Sequence, residues 1–245
     1  MTSHYLFAIV DSIDRELLTS LRSFEDHPLT TLGAAPGPFA ITGPMPAAKL
    51  RPRRANLKIH HDVIDHLVAH AGAVLPFSFG NAADSQEITD LLARRRQELL
   101  DHLQQVRGCL EVTLRLRTEE GQIFSYVVNA RQDLQALSRQ IFAPGAEPSR
   151  EEKIHLGQRF EASRRDLRAH FQETLCQALD DLQEDLRVAD DVADDELARL
   201  TFLVHRDRRP DFEARIQDLA ATLDDELILQ VSPFLAPYTF ANMTL

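Results

Sequence analysis

Leu110 to Arg117, LEVTLRLR, alternates strictly between apolar and polar residues, and a period of two marks a strand with one covered and one solvated face. Leu110, Val112, Leu114 and Leu116 are expected to face a core, with Glu111, Thr113, Arg115 and Arg117 outward. Thr118-Glu119-Glu120-Gly121 supplies a turn, and Gln122 to Val128, QIFSYVV, reads as the returning strand of a hairpin. Downstream, Gln132 to Ile141 has a helical pattern that ends at Ala143-Pro144-Gly145. Ser149 to Arg187 reads as one long amphipathic helix, with Phe160, Leu167, Phe171, Leu175, Ala178, Leu182 and Leu186 along one stripe. So narrow a stripe requires a partner surface. After an acidic bend from Asp190 to Glu196, the strand Leu200 to His205, a helix through Phe212, Ile216, Leu219 and Leu223, and the strand Leu227 to Val231 form a βαβ unit with parallel strands. This order of elements predicts a C-terminal ferredoxin-like α+β domain over residues 108–245.

The N-terminal side, residues 1–107, reads as a separate α+β domain. Tyr5 to Val10, YLFAIV, is apolar at every position, as a central strand covered on both faces would be. Ile13, Leu17, Leu18 and Leu21 suggest a short helix, and the proline-rich run that follows reads as a loop with short strands at Leu29 to Leu32 and Phe39 to Thr42. Asn56 to His70 carries Leu57, His60, Ile64 and Leu67 on one helical stripe. Val74 to Gly80, VLPFSFG, is expected to be a short or edge strand, because Pro76 lacks a ladder donor. Asp84 and Glu87 have the spacing of a capping box, and Ile88, Leu91, Leu92, Leu99, Leu103 and Val106 continue as one helix to a stop at Gly108.

Composition excludes several classes. Of 245 residues, 44% are hydrophobic and 27% charged, close to the average for globular chains. There is no apolar run long enough to span a bilayer and no signal-peptide pattern at the start; a cytoplasmic protein is expected. Two cysteines, Cys109 and Cys176, exclude a disulfide scaffold. The formal charge of −11 repels phosphate backbones, so neither nucleic acid nor a lipid membrane is the expected partner.

The catalytic inventory is thin, with no GxSxG, P-loop, GxGxxG or HExxH pattern. The best enzymatic candidate is the helix face bearing His61, Asp62, His66 and His70, which would suit a metal-dependent hydrolase. A solvated polar face explains the same residues more simply. His60, on the apolar stripe, reads as a core histidine bonded to backbone. Lys49, Arg51, Arg53, Arg54 and Lys58 form a basic cluster suited to an acidic partner or to the chain's own acidic half. The tail Ser232 to Leu245, with Phe234, Pro237, Tyr238 and Phe240, is too apolar to be free, so it either packs back or docks in a partner.

Several segments occur together in a set order along the chain. They are YLFAIV, then RANLKIHHDVIDHL with Arg54, Asn56, His60 and Val63, then VLPFSFGNAADSQEI with Pro76, Phe79 and Gly80. The run LLARRRQELLDHLQQVRGCLEVTLRL, with Leu92, Leu103, Gly108 and Glu111, follows, and later LTFLVHRDRRPDFEARI. Together with the closing SPFLAPYTF, these segments resemble the GvpL/GvpF family of gas vesicle proteins; that ending is similar to the family's Gly-Pro-Trp-Pro-Pro-Tyr-x-Phe, departing from it at Ser232, Phe234, Leu235 and Ala236. The resemblance implies a non-enzymatic accessory or minor structural protein of gas vesicle formation, without cofactor, that binds the small hydrophobic shell protein and other accessory proteins. It also implies two α+β domains, the second ferredoxin-like. The expected partner-binding residues are Pro76, Phe77 and Phe79 on the VLPFSFG edge and Phe234, Pro237, Tyr238 and Phe240 in the tail.

Overall fold

A computed structural model describes residues 3–12, 18–46 and 49–241. The chain divides into two compact units, one of Met1–Glu111, Leu203–Asp207 and Phe234–Leu245, the other of Val112–Phe202 and Arg208–Pro233. Mixed helix and sheet, as the sequence predicts, make up both.

In the first unit, strand β1 (Ser3–Val10) lies inside a sheet with β2 (Thr30–Leu32), β3 (Phe39–Pro44), β4 (Val74–Pro76) and β5 (Ala82–Asp84). The order is β2-β3-β1-β4, with β5 also paired to β1. Against β3, Leu6 pairs Thr42 and Ala8 pairs Ile41, which leaves Phe7 as the extra residue of a β-bulge. The bulge resets the alternation. Tyr5, Phe7, Ala8 and Val10 join one buried cluster, while Leu6 and Ile9 join another on the opposite face. Helix α1 (Arg54–His70) covers the first cluster with Val63, Ile64 and Leu67; the other face receives Ile88 and Leu92 of α2 (Ser85–Arg94) and Leu99 and Leu103 of α3 (Arg96–Gln105).

The strand YLFAIV is thus central and covered on both sides, as expected. VLPFSFG is an edge strand of three residues, and Gly80 turns the chain at φ 101°. The expected helix at Ile13 to Leu21 falls mostly outside the described residues; Leu18 is buried. The Asp84 capping box is present, with its carboxylate accepting from the Gln86 and Glu87 amides at 2.9 Å. The helix it starts is not continuous, because Arg95 leaves helical geometry at φ −105°, ψ 19°. At the far end, Gly108 (φ +70°) sits where a Cβ would lie 2.5 Å from His205 Nε2, so its stop signal has a steric as well as a conformational basis.

The second unit holds most of β6 (Cys109–Thr118). Val112, Leu114 and Leu116 are buried, as the alternation predicts. The expected hairpin partner is instead helix α4 (Ile123–Asn129). Ile123 and Val127, one helical turn apart, share a cluster with Leu134 and Ile141 of α5 (Gln132–Ile141) and Leu156 of α6 (Arg150–Leu179); burial overrides the strand propensity of Val, Ile, Phe and Tyr. Helix α6 starts at a Ser149 capping box and ends at Leu179, not Arg187. Asp185–Val188 is strand β7, followed by β8 (Glu196–His205), helix α7 (Arg209–Thr222) and β9 (Leu227–Val231).

The sheet order is β7-β8-β6-β9. β9 is antiparallel to β6. So is β8: the Thr118 amide donates to the Asp195 carbonyl, the Thr113 and Thr201 hydroxyls meet at 2.9 Å, and the Arg206 amide donates to the Gly108 carbonyl. β8 and β9 therefore run parallel as predicted, but β6 lies between them. Phe202 and Phe212 pack edge to face at 5.5 Å beneath α7.

The tail returns to the first unit. Glu111 and Leu235 exchange backbone hydrogen bonds of 2.8 and 2.9 Å. The Glu111 side chain, expected in solvent, is buried and accepts the Thr239 amide at 2.7 Å, at the start of the one-turn helix α8 (Tyr238–Ala241).

Candidate functional site

The histidine-rich face of α1 does not converge on a point. Asp62 is held by Lys58 at 2.5 Å, and His70 Nδ1 lies 2.8 Å from the His66 carbonyl, with the two imidazole rings 4.2 Å apart. Burial first, then the neighbouring His70, pushes the His66 pKa down. Among the described residues no group of three or more His, Cys, Asp and Glu side chains is placed to hold a metal ion. The metal-dependent hydrolase reading of His61, Asp62, His66 and His70 therefore finds no support.

His60 behaves differently. Its side chain is 1% exposed, with Nδ1 2.9 Å from the Tyr5 hydroxyl and Nε2 3.3 Å from the Tyr238 hydroxyl. A neutral imidazole has one donor and one acceptor, and each phenol can take either role. Side chains from β1 and the tail are thus partners, and the Phe77 backbone also hydrogen-bonds the ring, the kind of partner expected from the sequence. Desolvation first, and then His61, lowers the His60 pKa from 6.5 to about 4. Burial raises the Tyr5 pKa to about 12, against the Gly80 amide that donates to its oxygen. Phe7 stacks on His60 at 5.7 Å, and Phe24 and Phe79 complete an aromatic cluster around it.

The seven expected partner-binding residues separate by burial. Pro76, Phe77, Pro237 and Phe240 are buried in the core of the first unit. Phe79, Phe234 and Tyr238 are half-buried, and Leu235 between them is exposed. These last positions offer apolar surface in the two segments.

Another apolar face lies in the second unit. Phe142 is 65% exposed and Phe124 38%. Phe124 packs on Phe142 with ring centroids 6.4 Å apart and on Phe160 at 5.2 Å. These rings come from α4, from the end of α5 and from α6. Sequence reading missed them because a strand at Gln122 to Val128 gives Phe124 a different set of neighbours. The visible signal is Phe142 itself, an aromatic residue directly before the Ala143-Pro144-Gly145 break.

At the start of α1 the basic cluster borders an open cleft of about 470 Å³, lined by Lys49, Arg51 and Arg53 on a floor that includes Phe24, Leu50 and Ile59. The Asn56 amide donates to the Arg51 carbonyl at 2.9 Å and fixes this segment against the helix.

The family model for the gas vesicle synthesis proteins GvpL/GvpF matches residues 3–242. A gas vesicle protein F from Streptomyces sp. (strain CB03234) is 28% identical over 241 residues, covering 98% of this chain and all of that one. The protein of the same name from Nostoc sp. is 26% identical over 195 residues, 78% of this chain and 79% of its own length. In three dimensions the chain is similar to the crystal structure of the gas vesicle protein GvpF from Anabaena sp. PCC7120, with a TM-score of 0.84, 22% identity and full coverage of both. It is likewise similar to that of GvpF from Microcystis aeruginosa, with a TM-score of 0.79, 20% identity and coverage of 99% and 100%. The chain belongs to the GvpL/GvpF family of gas vesicle synthesis proteins.

Proposed function

We propose that this chain is a non-enzymatic accessory or minor structural protein of gas vesicle assembly, working in the cytoplasm and at the vesicle, that binds the small hydrophobic shell protein and other accessory proteins. Family membership supports the gas vesicle role. The observation that carries the binding role is the exposed aromatic face of Phe124 and Phe142. Large apolar side chains grouped on a soluble surface mark an interaction site, and a shell subunit with a water-repelling face is a matching partner. Phe79, Phe234, Leu235 and Tyr238 are accessible apolar positions of the VLPFSFG and tail segments and make a second candidate surface. Buried Pro76, Phe77, Pro237 and Phe240 serve that surface by shaping the segments. No described helix is long and apolar enough to cross a membrane. The ferredoxin-like reading of the second unit rests on the β7-β8-β6-β9 order with helices between β6 and β7 and between β8 and β9.

Retention of purified shell protein on the immobilised chain tests the binding role. Because both rings are already accessible, F124S/F142S is expected to fold with an unchanged circular dichroism spectrum. It should retain roughly tenfold less shell protein, as removal of buried aromatic anchors does at other interfaces. Wild-type retention by this variant would eliminate the aromatic face.

A further inference from the structure

We infer that the basic cleft at the start of α1 is a docking site for a short acidic peptide segment of a partner protein, one in which carboxylates flank an apolar side chain. The inference stands apart from the aromatic face of the second unit and does not depend on it.

Charge carries the argument. Acidic residues outnumber basic ones by 38 to 27 in this chain, so carboxylates are abundant. Lys58 on α1 finds Asp62, and Arg22, Arg95 and Arg107 find Asp26, Glu98 and Asp11. Yet among the described residues none of Lys49, Arg51, Arg53 and Arg54 forms an ion pair, and all four are exposed. Four unneutralised cations within six positions hold a local positive field in a chain whose net field is negative. The first turn of α1 adds to it, carrying neither an acidic residue nor a side-chain cap.

Shape and polarity select the ligand. The cleft, about 470 Å³, is within the range that takes a few side chains. Its cations stand beside the half-buried Leu50 and Ile59, so an occupant must present negative charge and apolar surface together. A nucleic acid would need exposed rings for stacking, and Phe24 is only 2% exposed. A polyphosphate would meet Glu25 in the cleft wall. An extended acidic peptide can direct its carboxylates to Arg51 and Arg53 in bidentate geometry, keep clear of Glu25, and place its apolar side chain on the floor.

The experiment measures fluorescence anisotropy of a labelled Asp-Leu-Asp-Glu-Phe-Glu peptide against the full chain. Two comparison peptides replace either the acids by lysine or the apolar residues by glycine. Binding of the acidic-apolar peptide alone is expected, weakening at least about tenfold when salt is raised from ~50 to ~500 mM. R51E/R53E should lower affinity about tenfold or more, whereas R94E/R96E, an equal change of net charge on α2 and α3, should leave it within about twofold. Equal loss in both variants, or no binding by the wild type at millimolar peptide, would overturn the inference. Sedimentation velocity of the chain alone decides the occupant: self-association that R51E/R53E abolishes would assign the cleft to a second copy of this chain and overturn the assignment to a partner.

Discussion

His60 ties three parts of the first unit together through two phenols, and its ring is held neutral by burial. The unfolded chain takes up a proton below about pH 6.5, while the folded form resists protonation down to about 4. The stabilisation from the neutral ring is therefore complete above pH 6.5 and is lost as the pH falls through 4. The shift corresponds to about 3 kcal/mol at most. H60Q retains one donor and one acceptor but does not titrate. Its melting temperature is expected to be lower than wild type at pH 7.5 and to vary less between pH 6.5 and 4; an unchanged pH slope would show that other groups govern acid unfolding. The position of His60 on the apolar stripe was legible in the sequence. Its side-chain partners were not, because Tyr5 and Tyr238 lie far away along the chain and only the folded tail brings the second phenol to Nε2.

Periodicity identifies elements well where neighbours do not compete and poorly where they do. β1, α1, α5 and the Asp84 capping box were all legible. The break at Arg95 was not, since Leu92 and Leu99 are seven residues apart and face one core whether the helix is continuous or interrupted. The bulge at Phe7 was hidden by a strand apolar at every position, where a reset of alternation leaves no trace. At Gln122 to Val128, strand-forming residues fold as a helix because α5 and α6 offer Ile123 and Val127 a core. Glu111 shows the same limit on β6: alternation places it outward, and the returning tail buries it. Burial raises the Glu111 pKa, partly offset by the Thr239 amide. A carboxyl with a raised folded value stabilises the fold most when protonated, below the unfolded value near 4.5, and that contribution disappears as the pH rises through the folded value. E111Q keeps an acceptor for Thr239 without the charge. It should therefore melt higher than wild type at pH 8 and at the same temperature at pH 4. Greater loss at pH 8 than at pH 4 would mean that α8 needs the ionised carboxylate.

Across the whole chain, the agreement with the gas vesicle family extends from residue 3 to residue 242, and solved relatives share the fold at about one residue in five. Segments scattered along the sequence carried that resemblance, whereas the exposed aromatic face of the second unit was not legible. Apolar residues in VLPFSFG and the tail drew attention by composition, and folding consumed four of the seven in the core. Phe124 and Phe142 are exposed by the packing of α4 and α5, which composition does not encode. A net charge of −11 keeps such a chain dispersed while it presents a local apolar face. The central claim is that this face grips the water-repelling surface of a shell subunit without chemical change to either. Light scattering of shell protein diluted from denaturant, with and without an equimolar amount of the chain, tests it most directly. The account predicts that the chain suppresses the rise in scattering and elutes with the shell protein as a defined complex, and that F124S/F142S does neither; scattering unchanged by the wild-type chain would contradict it.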